Sequence, residues 1–298
     1  MSTRETKLIT FYSYKGGAGR SSTTLNTLPY LVKALEATPE KPLLLLDMDL
    51  DSAGMTYLLK YDKYFQDNYD VKEFLLNEEK WSADPVDDIR SHPLISKFVE
   101  VGDLLGVEKG SILFLGDNDK APIDNDQMQG SKETTIKMLK RFCKNNGLPG
   151  IVLDSASGDQ FSAILATKYA TEIVVCMRPT MQFRMGTFNY LDRLSENSVS
   201  SEIILLPTVV PETDVEIEGE LQKTKSINNI LKRSELVADK LSIHTDFVNE
   251  DTFGINEVKR FMWQEGVLYK IRNTQELKTD EVEACRRYEK LADLIASL

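Results

Sequence analysis

A chain of 298 residues with 41% hydrophobic content can bury one large core, and 28% charged residues without a low-complexity run argue against general disorder. The formal net charge of −11 disfavours a broad, sequence-independent grip on nucleic acid, leaving only a local basic patch open, and disfavours rest on an anionic membrane. Three cysteines (Cys143, Cys176, Cys285) without a CxxC pair and two histidines (His92, His244) without ligand-spaced partners argue against a disulfide framework and a zinc site.

The chain opens without a hydrophobic signal core, and no window of about 18 apolar residues occurs, so a cytoplasmic protein with no transmembrane segment is expected. In chain order, "KLITFYS" (7–13), "PLLLLDMD" (42–49), "SILFLGD" (111–117), "GIVLDSA" (150–156), "EIVVCMRP" (172–179) and "EIILLPTVV" (202–210) read as strands buried on both faces, because they lack strict alternation. Candidate helices fall between and after them, at 21–37, 131–145, 159–169, 184–195 and 226–240. The alternation predicts an α/β fold: a doubly wound, mostly parallel sheet with helices on both faces. Residues 60 to 110 are least readable and are expected to be a solvated helical insertion. The final stretch, "TDEVEACRRYEKLADLIASL", carries Ala284, Tyr288, Leu291, Leu294, Ile295 and Leu298 at helical spacing and is expected to pack against the sheet. With no repeat and no Pro/Ser-rich linker, residues 1–298 are read as a single domain.

The chemistry concentrates in "YKGGAGRSS" (14–22), which follows a strand and precedes a helix. Gly16, Gly17 and Gly19 allow a loop that aims backbone N–H groups at one point, and the following helix adds its positive end. The expected phosphate cradle is Gly16, Gly17, Ala18, Gly19, Arg20, Ser21 and Ser22, with the Ser21 hydroxyl placed to ligate Mg²⁺ on the β/γ-phosphates. The spacing is not the general G-x-x-x-x-G-K-[ST], since Ser21 lies five residues after Gly16. "LLLLDMDLDSAG" (43–54) puts Asp47 and Asp49 on one side of a strand's carboxyl end, the edge where doubly wound sheets bind ligands. "GIVLDSASGDQ" (150–160) ends a second strand in Asp154, followed by Gly158.

"KGGAGRSS" resembles the deviant Walker A motif, K-G-G-x-G-[KR]-[ST], of the ParA/MinD-type P-loop ATPases, and its arginine resembles a bacterial ParA-like subgroup with a K-G-G-V-G-R loop. The resemblance implies ATP and Mg²⁺ as cofactors. It implies that Lys15 reaches across a two-fold interface to a partner protomer's ATP and that Arg20 takes the place of the ordinary P-loop lysine. By the same similarity Asp49 positions the attacking water, Asp47 lies near Mg²⁺, and Asp154 holds Mg²⁺. Asp51 and Gly54 resemble the subgroup's D-L-E-A-P-G, with Asp for Glu and no proline; "DSASG" resembles its D-S-R-T-G without the arginine. "RPTMQFRMGT" (178–187) resembles the loop and helix start after the next strand. "PTVVPE" (207–212) falls at the adenine-contacting loop, which points to Pro207 and Thr208, and "EVKRFMWQEGVLYK" resembles the family's ending.

The implied function is an ATP-hydrolysing switch that forms a nucleotide-sandwich homodimer and regulates a protein partner. The alternative is a nucleotide-sensing module with little hydrolysis, which the arginine in the loop favours. A tyrosine kinase of the same broad fold is disfavoured because Tyr269 and Tyr288 are isolated. An iron–sulfur reductase is disfavoured because Asp154 is followed by Ser155 and not by a cysteine-bearing loop, and DNA partitioning because "LKRSELVADK" and "EACRRYEK" are diluted with acids.

Overall fold

The computed structural model describes residues 5–50, 52, 54–59, 70–76, 82–117, 132–197, 199–211, 217–262 and 266–298. Asp51 and Glu212 lie outside the described residues. The strands are β1 (Lys7–Ser13), β2 (Leu43–Met48), β3 (Val99–Glu100), β4 (Ile112–Leu115), β5 (Gly150–Ser157), β6 (Glu172–Met177), β7 (Glu202–Pro207) and β8 (Ser242–His244). Among the described residues they form one eight-stranded sheet, ordered β3-β4-β2-β5-β1-β6-β7-β8. Every neighbouring pair is parallel except β3 with β4, which is antiparallel at one edge.

The doubly wound reading holds, and the reason is visible residue by residue. Leu44, Leu46, Ile151, Leu153, Ile173, Val175, Ile203 and Leu205 face one core. Their alternates Leu43, Leu45, Val152, Val174, Cys176, Ile204 and Leu206 face the other. With both faces covered, the period-2 pattern vanishes from the sequence. The first core also takes α5 (Lys132–Asn145), α6 (Phe161–Lys168) and α7 (Met181–Glu196), and residues such as Ile227 and Ile230 of α8 (Ile217–Val237). The second core takes α1 (Arg20–Ala34) and α10 (Thr279–Ser297), with Ala284, Tyr288, Leu291 and Ile295 buried and Leu298 left exposed.

Helix α1, "RSSTTLNTLPYLVKA", holds Pro29 in its interior and few strong helix formers. Its stability comes from burial: Leu25, Leu28 and Leu31 are covered by α10 and the sheet.

The expectation for residues 60–110 needs correcting where they are described. Helix α3 (Val71–Leu76), two 3₁₀ turns, β3 and α4 (Gly102–Leu105) fill the stretch. Val71, Phe74, Leu75, Ile89, Leu94, Ile95 and Phe98 are buried in the first core, so these parts are core material rather than a solvated insertion. Their apolar residues are interrupted by acids and prolines, which hides the pattern in the sequence.

Candidate functional site

The loop after β1 folds over the carboxyl edge of the sheet because two of its glycines take left-handed backbone, Gly17 at φ +79° and Gly19 at φ +73°. Gly19 is required twice over, since a Cβ there would also meet Val209 Cγ2 at 2.9 Å. Val209 itself is a β-branched residue at φ +51°, a strained conformation. Beside it, Thr208 Oγ1 donates to Ala18 O at 2.5 Å. The back of the loop is therefore clamped by the end of β7. Its front is open: a Cβ built on Gly16 or Gly17 would meet nothing within 4 Å.

A cavity of about 530 Å³ lies in front of the loop. Gly16, Gly17, Ala18, Gly19, Arg20, Ser21, Ser22 and Asp49, all expected from sequence, line it. Ser13, Leu25, Ser52, Gly54, Tyr57, Leu58, Ser157 and Gly266 complete the wall. A volume of this size is ordinary for a small-molecule ligand. Left-handed glycines, the start of α1 and an open front fit the phosphates of a nucleotide.

Under the loop the charges form a compact cluster. The Arg20 guanidinium is buried; its Nε lies 3.0 Å from Asp154 Oδ1 and its Nη2 lies 2.8 Å from Asp49 Oδ2. Burial works against the charge on Arg20, but Asp154 and Asp49 outweigh it and hold the group protonated well above its ordinary range. Ser21 Oγ donates to Asp154 Oδ2 at 2.6 Å, and Thr24 Oγ1 donates to Asp154 Oδ1 at 3.2 Å. Burial pushes the Asp154 carboxyl up, and Arg20 pulls it back.

Asp47 is fully buried and does not line the cavity. Its Oδ1 accepts the Asp49 N–H at 3.2 Å, and its Oδ2 accepts the Thr56 N–H at 2.9 Å and hydroxyl at 2.8 Å. Burial, with the charge of Asp154, pushes Asp47 up to about 7. In this geometry Asp47 holds the start of α2 (Gly54–Leu58) under the cavity. Pro207 and Thr208 are likewise buried and outside the cavity wall, while Val209 is half-buried and Pro211 exposed.

Lys15 is exposed at the loop and makes no hydrogen bond or ion pair with any described residue. Gly158, at φ +70°, donates its N–H to Ser13 O at 3.0 Å and accepts from the Tyr12 hydroxyl at 3.1 Å. Asp159 pairs with Arg193 of α7. The segment after β5 is thus tied both to the loop's root and to α7.

Ser21 and Asp154 are the pair that could hold a divalent cation, since the Ser21 hydroxyl oxygen keeps a lone pair while its proton goes to Asp154. Among the described residues no group of three or more His, Cys, Asp or Glu side chains is arranged around a metal, so phosphate oxygens and water would supply the remaining ligands.

Among the contributors that sequence reading missed are Thr24, Thr56 and Gly266. Thr24 stands one helical turn from Arg20, so its spacing was a usable signal. Thr56 and Gly266 reach the site only through the fold: Gly266 is held by Asn26, whose Nδ2 donates to Gly266 O at 3.1 Å and whose Oδ1 accepts the Leu268 N–H at 2.8 Å.

No protein-family model and no curated protein matches the chain. Solved structures do match it over nearly its whole length. A chain of the MinC:MinD cell division protein complex from Aquifex aeolicus has 16% identity and a TM-score of 0.60, covering 98% of this chain and 96% of that one. McdA from Cyanothece, in an ATP complex, has 14% identity and a TM-score of 0.62, covering 99% and 97%. A putative plasmid partition protein from Borrelia burgdorferi, bound to AMPPNP, has 15% identity and a TM-score of 0.57, covering 98% and 100%. Identities this low speak of fold, and the chain has the fold of the ParA/MinD-type P-loop ATPases.

Proposed function

We propose that the protein is a Mg·ATP-dependent switch whose two nucleotide-bound protomers meet through the loop face and whose assembly state regulates a protein partner. The observation that carries this reading is the division of labour between two cations of one loop. Arg20 is turned inward onto Asp49 and Asp154, whereas Lys15 is exposed at the open front with no described partner. A lysine so placed is available to a second copy's nucleotide.

On this reading the loop amides and Ser21 seat the β- and γ-phosphates, and Mg²⁺ on Ser21 and, through water, Asp154 would neutralise their charge. Asp49 orients a water that attacks the γ-phosphorus; the bond to the β-phosphate oxygen breaks, giving ADP and phosphate. Lys15 of the second copy and Arg20 balance the charge that develops on the transferred group. The base is expected against residues 207–211, where Val209 and Pro211 are the accessible members.

Mass in solution by light scattering, with Mg·ATP and with Mg·ADP, tests this directly. The expected result is a dimer with ATP only, lost in Lys15→Ala. Mass indifferent to nucleotide would remove the role of Lys15 in the partner's site. The second reading, a nucleotide sensor with little hydrolysis, is favoured by one specific observation: Arg20 occupies the carboxylate of Asp49 that would orient water. Phosphate release near background in the ATP-bound dimer would select it.

A further inference from the structure

The position of Arg20 has a consequence for how the site fills. Its guanidinium touches all three groups that a divalent cation would use or approach: Asp154 at 3.0 Å, Asp49 at 2.8 Å and the Ser21 hydroxyl at 3.5 Å. It is buried, Asp154 is fully buried, and Asp49, at the cavity wall, turns one carboxylate oxygen onto it. A divalent ion entering here would stand at contact distance from a fixed positive charge and would have to compete with it for both carboxylates.

We propose that Arg20 is a built-in counter-ion that bars divalent cations from the empty site, and that nucleotide admits the cation by drawing the guanidinium off Asp49 and Asp154. This rests on the nucleotide-binding reading above. Phosphate oxygens are the natural acceptors for the displaced guanidinium, which binds planar or tetrahedral oxyanions through two N–H groups at once. The exchange leaves Asp154 and Ser21 free for the cation and Asp49 free for water. A lysine in this position, with a single point of charge, could bridge the two acids less well, which gives the arginine a reason of its own.

The decisive experiment uses Mn²⁺ and nucleotide-free protein, reading bound Mn²⁺ by electron paramagnetic resonance. Wild type is expected to bind Mn²⁺ at least about tenfold more weakly than Arg20→Gln, a shift within the ordinary range of coupled sites. Arg20→Gln/Asp154→Asn is expected to lose the gain. Equal Mn²⁺ affinity in wild type and Arg20→Gln overturns the proposal.

A second measurement needs no substitution: the Arg20 Nε–H resonance of ¹⁵N-arginine-labelled wild type. It is expected to hold its position when Mg²⁺ is added alone and to move when Mg·ADP is added. A shift with Mg²⁺ alone as large as that with Mg·ADP overturns the proposal. Should ADP and ATP fail to bind wild type, the nucleotide reading falls, while a gain of Mn²⁺ binding in Arg20→Gln still upholds the role of Arg20 as counter-ion.

Discussion

Two buried cations lie near the carboxyl edge of this sheet, and they differ in company and access. Lys72 of α3 pairs with Asp117, at 2.9 Å and with both side chains buried. Arg20 is shared between Asp49 and Asp154 and lines an open cavity. The two clusters are linked, because Thr56 donates to Asp47 through its hydroxyl and accepts the Asp117 N–H at 2.9 Å on the same oxygen. One cluster is a pair buried inside the fold. The other is a cation shared by two carboxylates, Asp49 and Asp154, at the wall of a cavity from which other ligands can reach all three. The lesson is that access to a cavity, rather than burial alone, separates a structural ion pair from one poised to exchange partners.

The largest effect should come from breaking the buried Lys72–Asp117 pair. Lys72→Met leaves Asp117 buried without its cation and is expected to cost about 3–5 kcal/mol. Urea unfolding reads it as a lower midpoint at unchanged slope. The double change Lys72→Met/Asp117→Leu should recover most of the loss, and millimolar Mg²⁺ should recover none. If the single substitution is neutral, the pair is not a structural contact of the fold.

Arg20→Met comes next and should behave differently in kind. It also uncovers carboxylates, but ones beside a cavity that water and ions can enter. Its cost is expected to be smaller, about 1–3 kcal/mol, and partly reversed by millimolar Mg²⁺. A loss as large as that of Lys72→Met, unmoved by Mg²⁺, would erase the distinction between the clusters.

Thr56→Val probes the link between them. It removes one donor to Asp47 and the acceptor for the Asp117 N–H, with shape nearly preserved, and should cost about 1–3 kcal/mol. The coupling energy between Thr56→Val and Lys72→Met in a double-mutant cycle should differ from zero. Strict additivity would mean the clusters stand independently.

This comparison also shows which parts of the molecule could be read from sequence. Strands β1, β2, β4, β5, β6 and β7 were legible because both-face burial gives each an apolar run. Edge strands β3, of two residues, and β8, of three, were not, since a short edge needs little apolar pattern. The loop glycines, Arg20, Ser21, Asp49 and Asp154 were legible because each stands in a contiguous motif at a strand end. That Arg20 would point inward, Asp47 would be used up by Thr56, and Thr208 would brace Ala18 was not, because each depends on a partner distant in sequence. Lys72 lay in the stretch whose pattern acids and prolines obscure, and Asp117, at the end of the legible run 111–117, gave no sign of its distant partner.

The opposite edge supplies the smallest effect and a control. There Glu172 and Glu202 stand side by side in register on β6 and β7, yet titrate in opposite directions. Burial pushes Glu172 up despite Lys7 at 2.7 Å. Hydrogen bonds from Ser242 and then His244 pull the half-exposed Glu202 down. A depressed carboxylate contributes stability above its unfolded pKa, near 4.3, and loses it as pH falls through the lower folded value. Ser242→Ala should therefore destabilise at pH 7 by no more than a few tenths of a kcal/mol, since solvent screens the partly exposed group. The deficit should fade below about pH 4, where wild type loses the same contribution. A deficit constant with pH would show that Ser242 acts through packing alone. A deficit rivalling that of Thr56→Val would break the rule drawn from the two buried cations, that access to water is what makes a charge contact cheap to lose.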